Sequence, residues 1–295
     1  MSRLNPCIRA IGPKSAKIVL VGEAPGEQEE RTGIPFIGSS GQELDRMLDE
    51  AGIQRHECYM TNVLFTRPPD NKIDAFCLDK KGLTSVGGYG AGHDLPPLST
   101  GKYLHPEFLP ELDRLYSELA AIRPNLIVTL GATALWALTG YSAITRVRGT
   151  VQASRFGKVL PTFHPSYVLR SWQARVIVVA DLVKANNERK FPELRRPERW
   201  ITIDPILEEV EEWATAMAYS ARKLAVDVET KQKKITCIGF AHSPSEAFVI
   251  PFWDRRKPGH NYWSTLEEEI IVREHVQRVL ALRIPKIFQN GMYDL

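Results

Sequence analysis

Four short apolar stretches of the sequence each lead to a residue that can take part in ligand binding or catalysis. Glu23 and Asn62 follow the first two stretches, and Gly131 and His164 follow the other two. A carboxylate accepts protons, an amide offers both a donor and an acceptor, and an imidazole changes protonation near neutral pH. In open α/β sheets, ligands bind beyond the carboxyl ends of the strands. If the four stretches are parallel strands of one sheet, the sequence predicts one pocket that contains these residues.

Each of these residues also has an ordinary structural explanation when it is taken alone. A lone histidine is more often structural, and a glycine-rich turn after a strand can bind many kinds of phosphate. The common nucleotide-binding motifs are absent, because GEAPG (22–26) is not GxGxxG and GATAL (131–135) is not a Walker loop.

A second candidate site lies on the stretch LAVDVET (224–230), which carries Asp227 and Glu229. Alternation along a strand puts both carboxylates on one face. Two carboxylates on an otherwise buried strand are costly unless they are paired or bind a metal. Further along the chain, QNGMYD (289–294) brings Asn290 and Asp294 four positions apart.

The elements that must position these residues alternate between strand and helix, which favours an α/β fold with a parallel sheet. Ser39 or Ser40 is a good N-cap for the first predicted helix. Residues 67–103 are rich in Pro, Gly and Asp, so we expect little regular structure there. The predicted strands cover residues 17–22, 58–64, 125–130, 147–153 and 159–162, and the predicted helices cover residues 39–51, 106–122, 131–138 and 173–190.

The chain length of 295 residues predicts two domains, residues 1–190 and 205–295, joined by a charged, proline-containing linker at 191–204. The second domain is small for its pattern, so we expect a truncated or fragmentary domain. Its predicted helices are residues 205–220 and 266–282, and its predicted strands are 223–228, 234–241, 247–252 and 286–289.

The composition excludes several classes of protein. Hydrophobic residues make up 43% and charged residues 25%, as in globular proteins, so a disordered chain is excluded. No apolar run reaches the roughly 18 residues of a membrane helix, and the N-terminus has no apolar signal segment. We therefore expect a cytoplasmic protein, in the host cytoplasm if the source is viral, and a net charge of +3 permits a nucleic-acid partner.

Five segments in order resemble the uracil-DNA glycosylase superfamily, in the branch known from thermophiles and from domains attached to phage DNA polymerases. The resemblance covers about residues 15–190. It implies a three-layer α/β/α sandwich with a central parallel sheet, uracil-containing DNA as the partner, and no cofactor for the glycosylase reaction. The matching segments are VGEAPGEQE (21–29), GIPFIG (33–38), TNV (61–63) with RPPDN (67–71), PNLIVTLG (124–131) and HPSYVLR (164–170).

The resemblance implies a role for each matching site residue. Such an enzyme flips the base out of the helix, reads its edge and stabilises the charge that develops as the base leaves. Catalysis falls to Glu23, which would orient or activate water, and to His164, which would hydrogen-bond the carbonyl oxygen that gains charge. The resemblance also implies that Phe36 stacks on uracil, that Asn62 hydrogen-bonds its edge and that Glu29 excludes the methyl group of thymine. Ser166 and Arg170 would contact DNA. Backbone groups would complete the pocket at Gly22, Ala24, Pro25 and Gly26.

The sequence departs from that family pattern at the iron–sulfur cluster that many members of this branch carry. Four thiolates must lie within reach of one another to hold such a cluster. Here Cys7 stands alone near the N-terminus, and Thr66 precedes the RPPDN segment where the pattern has a cysteine. No cysteine occurs at 106–109 either. We therefore expect no iron–sulfur cluster.

The second domain resembles the first part of a DEDD-type 3′–5′ exonuclease domain of a family A DNA polymerase, which has a ribonuclease H-like α/β fold. The resemblance implies Asp227, Glu229 and Asp294 as ligands of Mg²⁺ or Mn²⁺. The third motif of that family would lie beyond residue 295, so we expect little nuclease activity and a polymerase domain further downstream.

Two classes of function remain open for the first domain. It is either an active uracil-DNA glycosylase or a non-catalytic module that senses uracil or holds DNA for the polymerase. Joint retention of Glu23, Asn62 and His164 favours the enzyme. A free nucleotide-processing enzyme is disfavoured by the exonuclease-like motifs in the same chain.

Overall fold

The structure is a computed structural model that describes residues 9–90, 94–196 and 198–288. The chain divides into two compact units, Met1–Leu194 and Arg195–Leu295. In the described part of the chain, no helix combines the length and the apolar character needed to cross a membrane.

The first unit alternates strands with helices, as the sequence predicts. Short 3₁₀ turns precede several of these elements, among them Pro106–Phe108 before the fourth helix. The strands are β1 (Ile18–Gly22), β2 (Cys58–Asn62), β3 (Cys77–Leu78), β4 (Tyr103–Leu104), β5 (Leu126–Leu130), β6 (Gln152–Ser154) and β7 (Gly157–Thr162). The helices are α1 (Glu27–Thr32), α2 (Ser39–Glu50), α3 (Lys80–Ser85), α4 (Leu109–Ile122), α5 (Ala132–Thr139), α6 (Ile144–Val147), α7 (Pro165–Arg170) and α8 (Ala174–Glu188).

The main sheet of this unit has the order β2-β1-β5-β7-β6. β1 pairs in parallel with β2 and β5, and β5 pairs in parallel with β7. The edge strand β6 runs antiparallel to β7, because Arg155 and Phe156 alone connect the two strands and such a short link makes a hairpin. The sheet is therefore mixed, and the prediction of a purely parallel sheet is corrected at this edge.

Helices cover both faces of this sheet. All five residues of β1, β2 and β5 are buried, as expected for strands that are covered on both sides. Side chains of α4 and α5, such as Leu112 and Trp136, pack on one face, whereas Leu44 of α2 and Val178 of α8 pack on the other. The three-layer arrangement places the carboxyl ends of β1, β2, β5 and β7 along one edge.

Two local predictions for this unit are wrong. The N-cap of α2 is Gly38 rather than a serine, with no side-chain cap, and the strand predicted at 147–153 is only Gln152–Ser154, because Val147 ends α6. The described part of residues 67–103 has little regular structure, as predicted, apart from short 3₁₀ turns, α3 and the short β3–β4 ladder. Burial of Leu98 and Leu104 ties this segment to the core, and the indole of Trp136 donates to the carbonyl oxygen of Pro96 at 2.9 Å.

The second unit is also α/β, with helices packed on one sheet. Its sheet order is β12-β9-β10-β11-β8, with β9, β10 and β11 antiparallel and both edge strands parallel to their neighbours. Strand β8 lies inside residues 191–204, which the sequence predicts as a linker. The elements are β8 (Trp200–Thr202), α9 (Leu207–Ser220), β9 (Leu224–Lys231), β10 (Lys234–Ala241), β11 (Glu246–Pro251), α10 (Leu266–Leu280) and β12 (Lys286–Phe288).

Candidate active site

A cavity of about 380 Å³ opens in the first unit where β1, β2 and β5 end. Its volume lies in the ordinary range for small-molecule pockets. All of the site residues predicted in this unit except Gly22 line the cavity. The lining consists of Glu23, Ala24, Pro25, Gly26, Glu29, Phe36, Ser40, Asn62, Pro68, Asn71, Leu130, Gly131, Ala132, His164, Ser166 and Arg170.

Gly22 lies behind this lining and allows two of its side chains to converge. A Cβ atom at position 22 would lie 2.3 Å from Oδ1 of Asn62 and 2.6 Å from Cζ of Phe36. Both side chains are almost fully enclosed, with exposed fractions of 2% for Asn62 and 6% for Phe36. Glycine at the end of β1 is therefore a packing requirement of the pocket, and any larger residue would displace the amide or the ring.

Phe36 holds a backbone conformation that aromatic residues rarely adopt, with φ of 56°. Its loop is fixed by Glu29, whose Oε1 accepts from the backbone N–H of Ile37 at 3.1 Å and of Gly38 at 2.9 Å. Arg55 adds a hydrogen bond to the carbonyl oxygen of Phe36 at 3.1 Å. Glu29 thus contributes to the pocket wall and also holds the loop that presents the aromatic ring.

Glu23 is joined to the helix that follows β5. The hydroxyl of Thr133 donates to Oε2 of Glu23 at 2.5 Å. Burial raises the pKa of the Glu23 carboxyl; the Thr133 hydrogen bond opposes that rise, and the negative charge of Asp74 adds to it. Such a carboxylate is more basic than an exposed glutamate, which suits a group that accepts a proton from water.

His164 is the N-cap of α7, and this position fixes its protonation. Nδ1 accepts from the backbone N–H of Ser166 at 3.1 Å and lies 2.8 Å from the Ser166 hydroxyl. Burial of the ring and the nearby charge of Arg170 lower the pKa of His164 to about 4, although Glu29 acts in the opposite direction. The imidazole is therefore neutral at pH 7 and carries its proton on Nε2.

Gly131 makes the turn from β5 into α5 next to this histidine. Its φ is 94°, and an added Cβ would lie 3.2 Å from Cβ of His164. Its N–H donates to the carbonyl oxygen of Thr162 at 2.9 Å. The glycine after the third apolar stretch therefore serves a close approach between two strand ends, and the turn brings Thr133 under Glu23.

Two side chains of α4, Glu111 and Arg114, fasten the end of β2; we call this pair the α4 clasp. Arg114 donates to the carbonyl oxygens of Asn62 at 2.7 Å and Val63 at 2.9 Å. Glu111 accepts from the Thr66 hydroxyl at 2.6 Å. Sequence reasoning missed the clasp, because the α4 pattern marks only the leucines that face the core.

Asn71 also lines the pocket, although the sequence assigns it no role. Its side-chain oxygen accepts from Nε of Arg67 at 2.9 Å, and Arg67 also forms an ion pair with Glu30 at 3.1 Å. Asp70 and Asn71 have φ values of 52° and 55°, in the left-handed region. The Pro-Pro-Asp-Asn run is the signal for such a turn, since Asn and Asp tolerate that region.

The described residues do not fit an iron–sulfur cluster. An all-cysteine cluster needs four thiolates within reach of one another, and the cysteines among the described residues are Cys58, Cys77 and Cys237, the last of them in the second unit. Thr66, at the position of an implied ligand, is bound to Glu111 instead. Within the described ranges no group of three or more His, Cys, Asp or Glu residues is placed to hold a metal ion. Since Cys7 lies outside those ranges, the absence of a cluster stays a prediction.

In the second unit, Asp227 and Glu229 lie on one face of β9 and are exposed. They are opposite Gly239 and Cys237 of β10. The remaining residues of this predicted site, Asn290 and Asp294, lie outside the described residues, so the metal site stays a prediction.

Comparison with known proteins gives matches along both parts of the chain. The profile of the uracil DNA glycosylase superfamily matches residues 10–190. A Type-4 uracil-DNA glycosylase of Thermotoga maritima is 38% identical over 181 residues, covering 60% of this chain and 79% of that protein. One from Archaeoglobus fulgidus is 34% identical, with the same coverage of 60% and 79%. A DNA polymerase of Bacillus phage SP01 is 25% identical over 240 residues, covering 78% of this chain and 22% of the polymerase.

Proposed function

The chain belongs to the uracil DNA glycosylase superfamily, and we propose that it hydrolyses the N-glycosidic bond of deoxyuridine in DNA. The observation that carries this proposal is the convergence of Glu23, Asn62 and His164 on one cavity. The resemblance read from the sequence is confirmed at the level of the superfamily, and the chain is a hydrolase of the glycosylase type. The roles of individual residues are part of the proposal.

Recognition of the base rests on Asn62 and Phe36. The Asn62 side chain offers one acceptor and two donors, which match the amide edge of uracil. Its burial excludes competing water, and the Phe36 ring beside it provides an apolar face for the flipped base. Glu29, fixed by two backbone N–H groups, would close the wall against the methyl group of thymine.

Departure of the base rests on His164. When the bond from C1′ to N1 breaks, the electron pair stays on uracil and a carbonyl oxygen gains negative charge. A neutral imidazole with its proton on Nε2 donates a hydrogen bond to that oxygen, and a prearranged donor of this kind stabilises the transition state. Ser166 fixes the ring, because its backbone N–H donates to Nδ1, and it would position His164 in addition to contacting DNA. Arg170, at the end of α7 and in the pocket lining, would contact a phosphate.

The direct test uses a labelled oligonucleotide with a single uracil, incubated with the protein in EDTA and then cleaved at abasic sites with alkali. The expected result is cleavage at the uracil, with none in the matched oligonucleotide that carries thymine there. Binding of uracil-containing DNA without any abasic product at stoichiometric protein would overturn the enzyme and favour the non-catalytic sensing module.

For the second unit we propose a relationship to the DEDD-type exonuclease domain of phage-type polymerases. Two observations support it. Asp227 and Glu229 share an exposed face of β9. The match to the phage polymerase covers 78% of the chain, which is more than the first unit of 194 residues contributes, so part of the match lies in the second unit.

The test of this proposal is paramagnetic NMR. Mn²⁺ should broaden the backbone NMR signals around Asp227 and Glu229, and the D227N/E229N variant should lose that effect. Broadening that persists in the variant would place the metal elsewhere.

A further inference from the structure

Thr133 lies beneath the Glu23 carboxylate and is enclosed by the protein. It is the second residue of α5, and its exposed fraction is 3%. Its hydroxyl donates to Oε2 of Glu23 across 110 positions of sequence, at 2.5 Å. A threonine inside a helix often bonds a carbonyl oxygen of the preceding turn, but here the hydroxyl meets a charged acceptor from another strand end.

The consequence of this bond is that the two oxygens of Glu23 become inequivalent. Oε2 accepts the hydrogen bond of Thr133, so Oε1 is the oxygen that we assign to the attacking water molecule. A carboxylate held through one oxygen also has a fixed plane, and positioning of this kind contributes to catalysis as much as basicity does.

We propose that Thr133 is a positioning residue that orients Glu23 and keeps it ionised for the attack of water on deoxyuridine. This inference rests on the proposed glycosylase function. In the step itself, the water oxygen forms a bond to C1′ and one water proton passes to Oε1 of Glu23. The C1′–N1 bond breaks, and its electron pair leaves with uracil.

The charged surroundings of Glu23 explain why such a partner is needed. Burial and the charge of Asp74 raise the pKa of Glu23, and the Thr133 hydrogen bond is the influence that lowers it. The other titratable groups that line the same cavity are Glu29, His164 and Arg170. Because His164 is neutral at pH 7, it adds no positive charge beside Glu23. The Thr133 hydrogen bond therefore opposes the rise in the pKa of Glu23 that burial causes.

The variants that test the proposal are T133V, which keeps the shape and removes the donor, and T133S, which keeps the donor. The titration of Glu23 is followed by ¹³C NMR of the full chain labelled at glutamate carboxyls, with E23Q for assignment. In T133V the midpoint should rise by about one pH unit, the equivalent of one hydrogen bond to a charged group. T133S should titrate like the original protein. An unchanged midpoint in T133V would overturn the proposal.

The kinetic test uses single-turnover rates between pH 5 and 9. The acid limb of the T133V profile should move to higher pH by about one pH unit, so that the rate falls by up to about tenfold on that limb and is unchanged on the plateau. T133S should restore the profile, whereas a purely structural role would lower the rate equally at every pH and would refute the assignment. If T133V does not fold, T133A is compared with T133S in its place. Inactivity of the unaltered protein would overturn the glycosylase function alone, because the NMR titration still decides the role of Thr133.

Discussion

Both units present carboxylates on or just after a strand, but in opposite surroundings. Glu23 follows β1 in the lining of the cavity and is bound to the Thr133 hydroxyl. Asp227 and Glu229 point from β9 on an exposed face. The first arrangement is costly to build, because a buried charge must be compensated by its neighbours. The second costs little, because water solvates both carboxylates.

This difference separates two ways of preparing a carboxylate for chemistry. In the first unit the Thr133 hydroxyl binds the Glu23 carboxylate, and burial raises the pKa of that carboxyl. The surroundings of Glu23 are therefore complete once the chain has folded. In the second unit the two carboxylates are exposed, so under the proposed function their oxygens would be available to a divalent cation, which takes several oxygen ligands. Three predictions break or sharpen this contrast.

The largest effect is expected at His164. H164A should lower the single-turnover rate of uracil removal by on the order of 10²–10³-fold, since one donor to the departing base is lost. H56A, which truncates an exposed histidine of the same unit, is the matched control and should keep the original rate. Equal rates in H164A and the original protein would remove His164 from the mechanism.

A moderate effect is expected on stability at Glu23. Burial raises its pKa in the folded chain, so ionisation at neutral pH favours the unfolded chain. E23Q should therefore raise Tm at pH 7 by a few degrees, since roughly 1 kcal/mol corresponds to about 2–4 °C in a domain of this size. The gain should shrink as the pH falls and vanish below about pH 4, where both states hold the proton.

The measurement is thermal unfolding of both proteins at a series of pH values. D49N, which neutralises an exposed carboxylate of α2, controls for the loss of one negative charge. A gain of the same size and pH dependence in D49N would show that net charge rather than burial is responsible.

The smallest effect is expected from the exposed pair. D227N/E229N should leave both the rate of uracil removal and Tm within experimental error of the original protein, because surface substitutions usually change stability by less than about 0.5 kcal/mol. The same variant should lose the Mn²⁺ response. A tenfold loss of uracil removal would mean that these carboxylates serve the glycosylase reaction.

The elements that carry the pocket are predictable, because each strand end is marked locally. Apolar runs locate β1, β2 and β5, and the polar residue or glycine after each run lies at the same edge once the strands are parallel. The direction of β6 and the ladder between β3 and β4 are not marked in this way, since both depend on which partner the segment meets.

The supporting residues could not be predicted for the same reason. Thr133 and Glu23 lie 110 positions apart, and Arg114 and Asn62 lie 52 positions apart. The residues next to Thr133 or Arg114 in the sequence do not indicate a hydrogen-bond partner at that distance. A pattern along the chain shows which side chains are apolar, whereas a hydrogen bond between distant segments exists only after the layers have packed.

The α4 clasp has a consequence for partly folded forms of the chain. Arg114 donates to the carbonyl oxygen of Asn62 across 52 positions of sequence, so this bond exists only when α4 has docked against the sheet. Pairing of β1 with β2 alone therefore leaves the end of β2 without its support from α4. A chain in which only these two strands have paired would have the strand ends in register but would still lack the fixed end of β2 that borders the cavity.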